Sequence, residues 1–559
     1  MISGQFRHGK VDIKAQGLSL YAQASQGEYS IEIAFFGSLV ACGDLVATYS
    51  TKNFAEIVLK HYLKHGTKAF DDLEGGYAFA IYDASLNKVL LVRDRIGTKN
   101  IFYYQNADGI VFASTLRQLF LDYNVPAELD STSIQTMLLL GPARPSDSGV
   151  YKNIKTVPAG NFVEFANNKL KVHEYYSLIS KSWYMSVDDT IDYARTLITK
   201  RTQEYLNVNQ PYACFLSGGL DSSVITYIVN ASKADKSPIN TISVDYKDSD
   251  TDFKANSFQP DSDKKYIAIM QKELGSNHRD IILDNETLAH SIKEAAIHRG
   301  LPGMADVDSS LLLLCQHTKQ EYDIAVSGEC ADEIFGGYPW YHDESIRNYK
   351  GFPWSRNLDV RKNVFDVDAS SASEFVADYY QHTLDTVQHI NDELPIDRRV
   401  RELFVLNLNW FGASLLERKE MMSGAAGLNV HMPFTDHLLV EFAYNLPWNL
   451  KSMNSREKGI MRQAFKGLLP NSITDRKKSP YPKSFSPIYL DYVKQEVNEI
   501  ISSHSPASVL LKKDYLLDLM KSDPTEMQPW YGQLMRLPQL LGYIVQLDTI
   551  LKEYKVRLV

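Results

Sequence analysis

The residues best suited to chemistry are Ser217-Gly218-Gly219-Leu220-Asp221-Ser222-Ser223. They follow the apolar run Ala213–Leu216 and open a segment carrying Val224, Ile225 and Ile228, which predicts a buried strand, a tight turn and a helix. Two glycines let the backbone come close to an anion, and serine hydroxyls with the first helical N–H groups would point at it. Asp221 beside a phosphate suits a magnesium ion, Mg2+. The stretch lacks the lysine and spacing of G-x-x-x-x-G-K-[ST], and it is not G-x-G-x-x-G, so it is a phosphate cradle of another class. A plain strand-to-helix turn is the competing reading, and the coincidence of strand, glycines, hydroxyls and acid weighs against it.

A second acidic turn, Ser327-Gly328-Glu329-Cys330-Ala331-Asp332-Glu333, follows a strand expected at Ile324–Val326. Open parallel sheets bind ligands at the ends of such strands. Asp221 and Asp332 are therefore expected to converge on one magnesium ion bridging nucleotide phosphates. Alone, this turn reads as a solvated acidic loop; paired with the first it reads as a site.

The elements that would position these turns begin after about Tyr184. An amphipathic helix is expected at Val187–Tyr205, then strands at Ala213–Leu216, Thr241–Tyr246 and Ile324–Val326 alternating with helices at Asp263–Leu274 and Val307–Thr318. That alternation predicts a parallel sheet covered by helices. From about Ser370 the pattern is almost wholly helical. Before it, up to about residue 175, the chain reads as strands and turns: Tyr29–Ala41, Tyr77–Tyr82, Val89–Val92, and a hairpin of Ile101–Tyr104 and Ile110–Ala113 around Asn106-Ala107-Asp108-Gly109. One helix interrupts at Asn53–His65, and Ser186–Asp189 is the expected linker.

Composition narrows the class. At roughly 150 residues per domain, 559 residues exceed one core. The 44% apolar and 23% charged fractions exclude disordered and collagen-like chains. With 59 basic and 68 acidic residues the net charge of −9 is mild and argues against a nucleic-acid partner. No apolar run approaches the roughly 18–20 residues that span a bilayer, and MISGQFRHGKVDIK lacks the apolar region of a signal peptide. Cys42, Cys214, Cys315 and Cys330 form no metal-binding or disulfide pattern. The expectation is a cytoplasmic enzyme without nucleic-acid or membrane partners.

With both turns in view, the chain resembles the asparagine synthetase family, a class of ATP pyrophosphatases. Ser217–Ser223 is similar to its S-G-G-x-D-S-S pyrophosphate loop and Ser327–Gly337 (SGECADEIFGG) to its second signature. Arg93–Tyr104 (RDRIGTKNIFYY), Gly300–Ser310 (GLPGMADVDSS), Gly427–Asp436 (GLNVHMPFTD) and Arg456–Phe465 (REKGIMRQAF) extend the likeness over nearly the whole length. The resemblance implies a mixed α/β and α+β fold. Residues 1–178 would form an Ntn-hydrolase-like, glutaminase-type domain of layered sheets, and residues 187–559 an ATP-pyrophosphatase (PP-loop) α/β domain ending in a largely helical part. It further implies that Ser217, Gly218, Gly219, Asp221, Ser222, Ser223, Val244, Ser327 and Gly328 bind ATP and pyrophosphate, with Mg2+ on Asp221 and Asp332. Lys458 matches a family lysine near the phosphates; taken alone it reads as a solvated helix lysine.

Departures are equally specific. The family begins M-C-G-I-x-G, with the cysteine as nucleophile, whereas this sequence reads Met1-Ile2-Ser3-Gly4-Gln5-Phe6. No arginine lies between Arg7 and Arg93 to clamp a glutamine carboxylate, N-G-E-I becomes Phe36-Gly37-Ser38-Leu39, and D-G becomes Glu74-Gly75. The first domain is therefore expected to be a retained scaffold without glutamine hydrolysis. Glu329, shared with asparagine synthetases where the similarly cysteine-free β-lactam synthetases carry tyrosine, points to attack by a separate amine and serves as a catalytic residue with Lys458. Met421, Asn429 and His431 replace family charges, which reads as a carboxylate substrate other than aspartate or weakened activity, or else as repacking of a helix face. The basic turn Arg476-Lys477-Lys478-Ser479-Pro480 reads as a solvated run or a phosphate contact.

The expected function is an ATP-dependent ligase that adenylates a small carboxylate, releases pyrophosphate, and passes the acyl group to ammonia or another amine whose source is not glutamine, in specialised metabolism. The rivals are an intramolecular lactam- or macrolactam-forming synthetase and a catalytically silent scaffold or partner subunit. A homodimer is compatible with the resemblance.

Overall fold

Alternation along the strand Gly75–Asp83 divides the first half into two cores. Tyr77, Phe79 and Ile81 face one cluster, and Ala78, Ala80 and Tyr82 face the other. The strand lies inside a six-stranded antiparallel sheet, in the order Lys169–Glu174, Asn161–Ala166, Lys88–Arg93, Gly75–Asp83, Tyr29–Leu39, Leu20–Gln26. Through Phe36 and Leu91 one face shares a core with Phe6 and Phe112 of a five-stranded antiparallel sheet, ordered Ile154–Thr156, Phe102–Asn106, Gly109–Ala113, Ile2–Arg7, Lys10–Ala15. The other face is covered by helix Phe54–His65, whose Ile57, Val58 and Tyr62 pack on Phe35 and Phe70. Asn53 caps that helix, its Oδ1 accepting from the amides of Ala55 and Glu56 at 2.9 and 3.4 Å.

This computed structural model describes all residues except 8–9, 28, 207–210, 236, 248–261, 480–483, 485 and 525. Among the described residues no helix is long and apolar enough to cross a membrane.

The second half holds a five-stranded sheet, all parallel, in the order Asn277–Leu283, Asn240–Tyr246, Tyr212–Phe215, Ile324–Val326, Asn429–His431. Helices Val187–Tyr205, Leu220–Ala231, Asp263–Leu274, Asn285–Arg299 and Asp306–Lys319 follow the expected alternation. The expected linker is the start of the first of these: Ser186 is its N-cap, its hydroxyl oxygen accepting from the Asp189 amide, and residues 187–189 already form the first turn. Two strands of this sheet escape the sequence pattern. Asn429–His431 is three residues long inside a helical region, and Asn277–Leu283 buries only Ile281 and Leu283, too few to signal alternation.

The register places the two turns together. Tyr212–Phe215 pairs directly with Ile324–Val326, Cys214 lying opposite Val326, so the loops beginning at Ser217 and Ser327 leave adjacent strands at one edge of the sheet. They touch backbone to backbone: a Cβ on Gly328 would lie 2.8 Å from the Asp221 carbonyl carbon.

Candidate active site

The first turn is shaped by Gly218, whose φ of +67° suits glycine and whose added Cβ would lie 2.7 Å from the Ile267 nitrogen and the Tyr266 Cβ. Gly218→Ala is expected to lower stability by about 1–3 kcal/mol, read as a lower urea midpoint with unchanged slope. Within the turn the Ser217 amide donates to Ser222 Oγ at 3.2 Å, and the Ser222 hydroxyl donates to the Gly219 carbonyl at 3.2 Å. Arg476 fixes the turn from outside, donating to the Ser217 carbonyl at 3.2 Å while its guanidinium lies 4.0 Å from the Tyr266 ring.

A cleft of about 290 Å³ opens at this edge of the sheet. Ser217, Gly219, Asp221, Ser222, Val244, Ser327, Gly328, Glu329, Asp332 and Lys458 all border it. Gly218 and Ser223 do not: Gly218 turns the chain, and Ser223 is fully buried, its Oγ without a hydrogen-bond partner among the described residues. Phe215, Ile242, Val244, Ile267, Met304 and Val307 give the cleft an apolar wall.

Lys458 is 3% exposed and joins the two turns. Its Nζ lies 2.7 Å from both Asp221 oxygens and 2.7 Å from Asp332 Oδ1. Lys478 reaches the other Asp332 oxygen at 2.8 Å. Burial opposes the charge on Lys458, but the two carboxylates outweigh it and hold the amine well above its ordinary range. Burial also opposes ionisation of Asp332, yet Lys458 and Lys478 hold it far below the usual carboxylate range. Asp221 is raised by burial and by Asp332 against the pull of Lys458.

Glu329 has its own cations, Lys419 Nζ at 2.9 Å and Arg418 Nη2 at 3.2 Å. Burial would raise it, and these two groups hold it below the usual range instead. The neighbouring Glu333 accepts from the Tyr338 hydroxyl and is pushed up to about 8 by burial and by Asp332. Sequence reasoning did not single out Arg418, and it named Glu333 only as the last residue of the second acidic turn. The turn at Arg476–Ser479 does border the cleft; residue 480 lies outside the described residues. So do Gly532, Gln533, Leu534 and Met535 border it, in a stretch with no motif to announce it.

The asparagine synthase family model matches residues 194–551, well over half the chain, and a glutamine amidotransferase domain model matches residues 40–176. The chain belongs to the asparagine synthetase family. It is 37% identical over 508 residues to asparagine synthetase [glutamine-hydrolyzing] 3 of Bacillus subtilis (strain 168), covering 90% of this chain and 82% of that one. It is 23% identical to asparagine synthetase [glutamine-hydrolyzing] 1 of the same organism (85% and 78% covered) and 22% identical to asparagine synthetase B [glutamine-hydrolyzing] of Escherichia coli (strain K12) (88% and 76% covered). The fold is thus an Ntn-hydrolase-like amidotransferase domain followed by an asparagine synthase domain, and the family is one of ATP-dependent carbon–nitrogen ligases.

Within this asparagine synthetase framework the three departures Met421, Asn429 and His431 do not border the cleft. Met421 is buried in the core. Asn429 donates to Ser38 Oγ at 3.3 Å, and His431 has Nε2 3.5 Å from the same oxygen and Nδ1 2.8 Å from the Tyr205 carbonyl. Asn429 and His431 thus pack between the amidotransferase and synthase halves. Glu74 likewise meets Arg201 at 2.5 Å, and Arg201 meets Asp436 at 2.6 Å.

Proposed function

We propose that this chain adenylates a small carboxylate with ATP, releasing pyrophosphate, and transfers the acyl group to ammonia or another amine that does not come from glutamine, in specialised metabolism. The reading takes residues 1–178 as a scaffold domain and residues 187–559 as the ligase. One observation carries it: Lys458 draws Asp221 and Asp332, from two separate turns, onto one nitrogen at the edge of a cleft.

ATP would lay its β- and γ-phosphates on Ser217, Gly219 and Ser222 and its base against Val244. The substrate carboxylate attacks the α-phosphorus and pyrophosphate leaves; an amine then attacks the acyl carbon and AMP leaves. Lys458 offsets the charge developing at phosphorus. The hard oxygens of Asp221 and Asp332 suit magnesium, and would hold it; when bound, the ion neutralises phosphate charge. Glu329 faces the incoming amine.

The scaffold reading is supported by contacts rather than by one missing residue. Ser3 is 1% exposed inside a strand, its Oγ accepting from the Tyr123 hydroxyl at 3.1 Å, and is no accessible nucleophile. Ser38 and Glu74, which stand where the resemblance would place polar glutamine contacts, are engaged with His431 and Arg201 of the second half.

The test is ATP–pyrophosphate exchange across a panel of amino acids and related carboxylates. Exchange that depends on one carboxylate, ignores glutamine and disappears in Asp221→Ala is the expected result. A folded protein that binds no nucleotide would overturn the ligase reading.

A further inference from the structure

Away from the cleft, a lysine lies buried in the second half. Lys451 ends the short helix Trp448–Lys451 and is 1% exposed. Lysine is almost never this buried unless it is paired. Yet among the described residues no carboxylate lies within ion-pair distance of its Nζ, which instead sits 4.8 Å from the centre of the Phe404 ring.

The charged groups around it are already engaged. On the facing helix Pro395–Leu406, Arg401 pairs with Glu393 at 2.7 Å, and Asp397 accepts from the Trp448 amide at 2.6 Å. Burial first, and Arg401 next, push the amine down to about 7, with Asp397 partly opposing. Near neutrality about half of such an amine carries a lone pair.

Lys451 lines a cavity of about 210 Å³, shared with Arg401, Asp397, Glu393 and, toward solvent, Lys181 and Asp392. Leu394, 63% exposed, stands at its rim, so a small molecule can enter. A buried neutral amine in a small chamber is a nucleophile. Carbon dioxide is the electrophile that suits it: small, uncharged on entry, and in need of no leaving group or cofactor. Its product would be an anion in a cavity that Arg401 also lines.

We propose that Lys451 is a carbamylation site, its Nζ bonding the carbon of carbon dioxide to leave a carbamate facing Arg401. The N–C bond forms as one C–O π pair moves onto oxygen, and the surplus amine proton passes to solvent.

The whole protein, equilibrated with 13C-bicarbonate and carbon dioxide, would be trapped with an alkylating oxonium salt and peptide-mapped by mass spectrometry. An ordinary lysine has only about one amine in a thousand neutral near pH 7.4. Label on Lys451 is therefore expected at least about tenfold above the median of the other lysines, falling as pH drops from about 8 to 6. A 13C carbamate resonance should be present in the wild type and absent from Lys451→Arg. Label on Lys451 no higher than on surface lysines would overturn the proposal, and the wild-type map gives that answer whether or not the variant folds.

Discussion

Replacing Lys458 with methionine is expected to lower ATP–pyrophosphate exchange by about 10²–10³-fold, the scale lost when one preorganised group facing developing charge is removed. The expectation rests on how many roles one nitrogen fills. Its Nζ contacts three carboxylate oxygens at 2.7 Å, and those oxygens belong to turns more than a hundred residues apart in sequence. Without it Asp221 and Asp332 face each other with side chains 20% and 15% exposed, and Asp332 keeps its ion pair with Lys478. Two effects follow that can be told apart. Charge repulsion should lower the melting temperature, and added magnesium should recover part of that loss by occupying the same carboxylates. The missing cation at the phosphates should lower exchange even where the protein remains folded. Lys458→Arg is expected to recover little, because a planar guanidinium cannot bring one nitrogen against three oxygens. Exchange within about threefold of wild type in Lys458→Met would remove the lysine from the chemistry.

Much of this site was legible in the sequence because its two turns carry residues with few other uses. Paired glycines, hydroxyls and acids after short apolar runs mark strand ends, and the strands they mark prove to be neighbours. What the sequence hid lies on the helix Gly412–Ala425. Glu417, Arg418, Lys419 and Glu420 are all buried there, although four consecutive charges read as a solvated face. Their partners are distant in the chain: Arg144 for Glu417, the Asn100 amide for Glu420, and Glu329 for Arg418 and Lys419. Local periodicity carries no trace of such pairing. The helix also follows a π-helical turn, Asn407–Phe411, which sets Phe411 into the cleft wall. The same logic explains where Asn429 and His431 lie. Asn429 and His431 sit on an edge strand whose position depends on pairing with Ile324–Val326, and that pairing turns them toward Ser38. Both side chains make contacts between the halves.

Glu329→Gln is expected to separate the two half-reactions. Amide formation should fall by about 10²–10³-fold, while carboxylate-dependent exchange stays within about fivefold of wild type. The reason is the charge state of Glu329. Lys419 at 2.9 Å and Arg418 at 3.2 Å hold its carboxyl below the usual range, so it is an anion throughout the neutral range. So acidic a group is a weak proton abstractor, and its strength lies in attracting and orienting a cationic amine. A depressed carboxylate keeps its charge as pH falls until below its ordinary value of 4.5, so any acid limb it contributes to amide formation lies below that pH and should vanish in the glutamine variant. Glutamine keeps the shape but leaves Arg418 and Lys419, each 3% exposed, without their shared anion. Breaking a buried pair in this way costs about 3–5 kcal/mol, so both half-reactions must be measured below the variant's own melting transition. If exchange then falls in step with amide formation, Glu329 acts on adenylation itself, and the assignment of the amine to its side of the cleft fails.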